Sequence, residues 1–292
     1  MENISYRRRK LENFINQIKK IDEDIQFTML EIGCLDLNQE PFYELLEFFP
    51  GSKLIGFEAE TSDCERMNSN AKEGVRYYPI LLGGKNEIRT FYVTQAQMCC
   101  SLYEPNYELN NLYNNLQCAE LKDITQVETV TMDKFVIDNN IGPVDFIKID
   151  VQGAELEIFK SGNQVLKNVL SIVSEVMFIP HYKEQPLFGD IAKFLDNRGL
   201  MFHKFLGFGG RTLKPFVFNN NPNKTSQQIW SDTLFLRNVQ NILYLENKEM
   251  LKLSILSFLY GCYDFSLYCM AIYEKKNSMN IMKEITESFN AE

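Results

Sequence analysis

The stretch VDFIKIDVQGAE, residues 144–155, restricts the possible folds most, because its character changes abruptly at its middle. Val144, Phe146, Ile147, Ile149 and Val151 make a nearly continuous apolar run, which suits a parallel strand buried on both faces. Asp150, Gln152, Gly153 and Glu155 then fall where such a strand gives way to the helix LEIFKSG. Their side chains are expected at the carboxyl edge of a parallel sheet, where open α/β sheets bind ligands.

The flanking sequence alternates in the same way. Leu11, Phe14, Ile15, Ile18, Ile21 and Ile25 recur at spacings of three and four and predict an amphipathic helix over residues 3–26, a lid or packing arm. FTMLEI (27–32) reads as a first strand, followed by Gly33-Cys34-Leu35-Asp36 and a helix near 41–49. KLIGF (53–57) is a second strand with Glu58 and Glu60 at its tip. In a nucleotide-binding βαβ unit a glycine turn lets the ligand approach the backbone, and an acid ending the second strand accepts bonds from ribose hydroxyls; Gly33 and Glu58 are placed for those jobs, although GxGxxG is absent. A third strand is expected over 75–80, then an extra strand or hairpin in EIRTFYV, and an irregular, lid-like stretch over 94–125. Asp133 reads as a helix cap. LSIVSEV (170–176) is a fifth buried strand, a helix buries Leu187, Ile191, Phe194 and Leu195, and 201–206 with 229–237 form a closing antiparallel hairpin. From residue 241 the composition turns to helix formers and aromatics, predicting a helical hairpin broken near Gly261 that packs on the main domain or makes a homodimer or partner contact.

Totals exclude several classes. With 292 residues, 45% hydrophobic and 24% charged, the chain has globular proportions, and a net charge of −9 argues against a general nucleic-acid binder. The 7 cysteines form no CxxC pair and there are two histidines, so neither a zinc site nor a disulfide framework is expected, and reduced thiols point to a cytoplasmic chain. The N-terminus lacks the order of a secretory signal, and Lys252 and Asp264 interrupt the apolar run 251–273, so no transmembrane segment is expected.

The segments LEIGCLD, LIGFEAE, SLYEPN, VDFIKIDVQGAELEIFKSG, SEVMFIPHYKEQPLFGDI and IWSDTLFLR resemble the FkbM family of S-adenosylmethionine-dependent methyltransferases, over about residues 27–237. The resemblance implies an α/β class I methyltransferase (Rossmann-like) fold, a seven-stranded doubly wound sheet with an antiparallel terminal strand. It divides the chain into an N-terminal helical arm (1–26), an FkbM-like domain (27–240) and a C-terminal helical extension (241–292). The usual acid-x-Gly-x-Gly-x-Gly turn keeps only Gly33 here, after Glu31.

The implied cofactor is S-adenosylmethionine, its methionine end by Glu31, Gly33 and Asp36, its ribose on Glu58, and Asp150 beside the transferring methyl. Lys148 either pairs with Asp150 or lays its stem along the sheet. His181 is the candidate general base, with a packed loop histidine as the alternative. Glu175 either holds substrate or orients His181, Glu155 caps the following helix, and His203 is structural. Ser101, Tyr182 and Gln185 are candidate substrate contacts; no metal ligand is assigned, and use of a divalent ion on Asp150, Glu155 and Glu175 stays open because no ligand spacing is diagnostic. The implied activity is O-methylation of a hydroxyl on a glycan, sugar nucleotide or secondary metabolite. The alternatives are a silent binding or assembly protein working through the C-terminal helices, and a nicotinamide-dependent oxidoreductase.

Overall fold

The computed structural model describes residues 4–34 and 40–290. Along the chain run α1 (Ile4–Ile21), β1 (Thr28–Ile32), α2 (Glu44–Phe48), β2 (Lys53–Phe57), α3 (Thr61–Ser69), β3 (Val75–Tyr78), β4 (Leu81–Leu82) and β5 (Glu87–Thr94). There follow α4 (Tyr107–Asn110), β6 (Leu121–Val130), α5 (Met132–Asp138), β7 (Phe146–Ile149), α6 (Glu155–Ser161), β8 (Ser171–Met177) and α7 (Phe188–Asp196). The chain continues through β9 (Leu200–Phe205), β10 (Trp230–Arg237), α8 (Asn247–Leu259), α9 (Tyr263–Asn277) and α10 (Met282–Asn290).

Seven strands form the main sheet in the order β3-β2-β1-β7-β8-β10-β9. β1, β2, β3, β7 and β8 pair in parallel, and β10 runs antiparallel to both β8 and β9. This is the class I methyltransferase architecture. The chain order reverses beside β1, where β2 lies on one side and β7 on the other, so a crevice opens at the carboxyl ends of these strands.

Side chains alternate across the sheet. Met29 and Phe146 face a core shared with α1, α8 and α9, whereas Leu30, Ile32, Ile147 and Ile149 face one shared with α5, α6 and α7. Both faces are therefore covered, which explains the nearly continuous apolar run of β7, interrupted only by Lys148. Phe14 of α1 stacks on Phe258 of α8 at 4.4 Å, so the two ends of the chain cover one face together. Lys252 of α8 donates to Asp145 at 2.8 and 2.9 Å, and Asp145 Oδ2 accepts from Thr28 N at 2.8 Å, tying α8 to the start of β7 and β1. None of the helices among the described residues is long and apolar enough to cross a membrane.

Several expectations need correction. The first helix ends at Ile21 rather than 26, although Ile25 is still buried beneath it. The stretch 94–125 is not irregular throughout: β6 begins at Leu121, antiparallel to β5, in a second sheet ordered β4-β6-β5. β6 is mostly exposed, so it lacks the apolar alternation that would have revealed it. Asp133 caps no helix of its own; its carboxylate accepts from Gln164 N and Val165 N, at the turn following α6. A third C-terminal helix, α10, packs against α1.

Candidate active site

Between the main sheet's carboxyl edge and the second sheet lies a cavity of about 780 Å³, a usual size for a small-molecule site. Gly33, Glu58, Asp150, Glu175, His181 and Tyr182 all line it.

Gly33 follows β1 with φ +83°, and a Cβ there would lie 1.9 Å from Asp150 O. Only glycine lets the two strand ends approach this closely. Gly33 N and Cys34 N both donate to Phe57 O, which fixes the turn against β2. Glu58, just beyond β2, is buried; its Oε1 accepts from Glu60 N at 3.0 Å and from Gln97 Nε2 at 3.4 Å. Burial raises its carboxyl above the ordinary range. Asp36 lies outside the described residues.

The turn after β7 is built from its own polar groups. Glu155 accepts from Val151 N at 3.0 Å and from Gly153 N at 3.2 and 3.0 Å, holding Gln152 at φ 54° and Gly153 at φ 110°. Its carboxyl, pushed up to about 7 by burial, is thus committed to the turn. Gln152 Nε2 donates to Asp150 Oδ1 at 2.8 Å and to Glu175 Oε2 at 2.7 Å, so one amide bridges the acids ending β7 and β8. Burial and then the neighbouring Asp150 charge hold Glu175 well above the ordinary carboxyl value. Two acids on one wall suit a ligand carrying positive charge.

Lys148 pairs with neither of those acids: its Nζ donates to Asp232 Oδ1 at 2.7 Å. Its side chain lies on the opposite sheet face from Ile147 and Ile149, the face it shares with Phe146. Burial pulls its ammonium down, but Asp150 and Asp232 together more than offset this and hold it above the ordinary lysine value.

His181 is buried, 5% exposed, and is oriented by Asn110 rather than by Glu175. Asn110 Nδ2 donates to His181 O at 3.0 Å, which turns its Oδ1 to accept from His181 Nδ1 at 2.7 Å. The lone pair is thereby assigned to Nε2, and that nitrogen has no partner among the described residues. Burial, with the Arg211 charge adding to it, lowers His181 to about 4. At neutral pH it is an uncharged acceptor.

Tyr182 lines the cavity but shares its hydroxyl between Cys99 O at 2.8 Å and Gln152 Oε1 at 3.1 Å. Ser101 Oγ donates to Gln152 O at 2.7 Å, and Gln185 Oε1 accepts from Tyr182 N at 3.1 Å; both are buried supports of the wall. Glu31, also buried, accepts from the Tyr43 hydroxyl at 2.6 Å. His203 packs edge-on against Phe265 of α9. Sequence reasoning missed Asn110, Cys99, Cys118, Arg211 and Trp230. The last four line the cavity; Trp230 opens β10, and the other four come from segments whose polar and aromatic residues follow no period.

S-adenosylmethionine fits this donor set. A wall carrying Asp150 and Glu175 suits its positive charge, a buried carboxylate such as Glu58 can accept from ribose hydroxyls, and Gly33 keeps the strand end clear of side chain. Residues 36–202 match the family model of the methyltransferase FkbM domain. The chain is 23% identical over 177 residues to the 2-O-methyltransferase NoeI of Sinorhizobium fredii (strain NBRC 101917 / NGR234), covering 59% of this chain and 70% of that protein. Among solved structures it is similar to precorrin-6y C5,15-methyltransferase from Geobacter metallireducens GS-15, with 11% identity and a TM-score of 0.36 over 80% of this chain and 90% of that one. A SAM dependent methyltransferase from Aquifex aeolicus is likewise similar, with 11% identity and a TM-score of 0.30 over 77% of this chain and 91% of that one.

Proposed function

The chain belongs to the FkbM family of S-adenosylmethionine-dependent methyltransferases, and from that premise we propose that it methylates a hydroxyl oxygen of a glycan, sugar nucleotide or secondary metabolite, with His181 as the base. The observation behind this is His181, which lines the cavity that also contains Asp150 and Glu175 and whose buried Nε2 has no partner among the described residues. The activity in the name of the similar protein NoeI, a 2-O-methyltransferase, favours oxygen as the acceptor atom.

In this reading Glu58 holds the ribose of the cofactor, and Asp150 and Glu175 lie beside its positive charge. Gly33 keeps the approach open, and Glu31 and Asp36 serve the methionine end. When bound, the cofactor supplies an electrophilic methyl on a sulfonium. The acceptor hydroxyl donates its proton to His181 Nε2 as its oxygen takes the methyl, and Asn110 Oδ1 holds the Nδ1 proton and keeps the ring in register. Positioning contributes roughly 7–11 kcal/mol to such a transfer, against roughly 3–5 kcal/mol from a general base. Ser101, Gln185 and the Tyr182 hydroxyl act by stiffening the wall. Residues 27–240 form the catalytic unit, with the arm (1–26) and the extension (241–292) as its cover.

The test is transfer of isotopic methyl from labelled cofactor to a panel of sugar hydroxyls. Alkali-stable methyl ether is expected. His181→Ala is expected to slow turnover at saturating acceptor by about 10²–10⁴-fold and leave cofactor affinity unchanged. Label found only in amines or alkali-labile esters would refute oxygen methylation, and unchanged turnover in His181→Ala would remove the base role.

A further inference from the structure

Arg211, in the cavity wall, pairs with no carboxylate among the described residues. Arg211 lies in the connection between β9 and β10, and the chain there is built around Trp230. Gly209 N donates to Trp230 O at 2.9 Å, and Ile229 N donates to Gly209 O at 2.9 Å. A Cβ at Gly209 would lie 2.0 Å from Trp230 Cε2, and one at Gly210 would lie 2.5 Å from Gln227 O. Gly209 thus lets the backbone lie against the indole, Gly210 lets it pass close to Gln227, and Arg211 follows with its Cζ 4.8 Å from the ring centroid. Neighbouring bonds fix the segment: Asn114 Nδ2 donates to Thr212 O at 3.1 Å and Oγ1 at 2.9 Å, and the Tyr113 hydroxyl donates to Gln227 Oε1 at 2.8 Å.

A guanidinium offers five donors. Among the described residues Arg211 meets one acceptor, the carbonyl of Gly210 at 2.9 Å, and its buried Nε meets none. No carboxylate among the described residues pairs with it. Arg211 is half-buried, and leaving its buried Nε without an acceptor is costly, a cost offset when an oxyanion occupies the fork. The acids of the cavity, Glu58, Glu60, Asp150 and Glu175, all lie at or just beyond the carboxyl ends of main-sheet strands, whereas Arg211 sits in the connecting loop with exposed Lys122 also on the wall. Its charge is felt at His181, where it adds to the effect of burial. The cavity is therefore acidic where the cofactor's charges belong and basic beside the base.

We propose that Arg211, seated on Trp230 and assisted by Lys122, binds an anionic group of the acceptor through a pair of phosphoryl or carboxylate oxygens. The substrate class is then a hydroxyl compound that carries its own negative charge, such as a sugar nucleotide or a uronic acid. This assignment rests on the cavity being the acceptor site, as argued above.

The test is calorimetric titration of the full chain, loaded with S-adenosylhomocysteine, with uridine diphosphate, with glucuronate and with neutral methyl glucoside. At least one anion is expected to bind more tightly than the glucoside. Arg211→Gln should weaken that binding by about tenfold or more, and Arg211→Lys by less, since a lysine keeps the charge and loses the fork. Unchanged affinity of both variants for S-adenosylhomocysteine reports an intact fold. Preference for uridine diphosphate identifies a phosphoryl group, and preference for glucuronate a carboxylate. If neither anion outbinds the glucoside, or if Arg211→Gln binds as the parent does, the proposal is overturned. The heat is read without methyl transfer, so that failure is distinct from a failure of oxygen methylation, which the isotopic assay reads.

Discussion

Glu31 accepts a short bond from Tyr43, yet burial, the larger effect, still pushes its carboxyl up to about 7 from the ordinary 4.5. A folded-state value above the unfolded one means that the fold prefers the neutral acid. The stability Glu31 contributes is therefore full below about pH 4.5 and is lost as pH rises through about 7. Glu31→Gln keeps an acceptor for Tyr43 and removes the charge. Thermal unfolding should show no gain at pH 4 and a gain of roughly 2–3 kcal/mol at pH 8; a variant no more stable than the parent at pH 8 would contradict the burial argument. His181 has the opposite sign. Its value, lowered to about 4, keeps the imidazole neutral, so its stabilising contribution is present above about 6.5 and is lost as pH falls through about 4. The pH profile of kcat should accordingly show no acid limb due to His181 between pH 6 and 8, and a limb near 6.5 would mean that the ring is solvated during turnover.

At the scale of elements, the turn after β7 was legible because its residues carry their own instructions. An apolar run marks the strand, Gly153 permits a positive φ, and Glu155 ties the turn back to two backbone amides. β1 and β2 were legible for the same reason, with Gly33 and Glu58 set at their tips. The wall opposite was not. β6 is exposed along most of its length, so nothing in its sequence separates it from the loop before it. The partnership of Asn110 with His181 spans 71 residues of chain and depends on segment 104–106 pairing with segment 181–183. Local patterns do not encode a contact of that kind. The partner of Lys148 was illegible for a related reason: the sequence offered Asp150 on the same strand or a stem laid along the sheet, whereas Asp232 is brought to it from β10 across β8. Gly209-Gly210-Arg211 was the one available hint of the cationic end, and its meaning depends on Trp230 lying beneath it.

At the scale of the molecule, both chain termini help cover one face of the sheet that supports the site. Phe258 is 3% exposed and stacked at 9° on Phe14, joining α8 to α1 over β1 and β7. If these helices belong to the same cooperative unit as the sheet, Phe258→Ala should cost about 3–5 kcal/mol in one denaturant transition monitored at once by circular dichroism and Trp230 fluorescence. A loss below roughly 1 kcal/mol, or two separate transitions, would instead make the helices an appendage and favour a partner surface there.

The claim on which the rest depends is that the cavity at the ends of β1, β2 and β7 holds S-adenosylmethionine, with Glu58 on its ribose. Calorimetric titration of the parent chain and Glu58→Ala with S-adenosylhomocysteine tests it most directly. One site per chain is predicted, weakened about tenfold or more in Glu58→Ala, as expected for loss of a hydrogen-bonded carboxylate. A folded parent that binds no S-adenosylhomocysteine, or a Glu58→Ala chain that binds it equally well, would contradict the account.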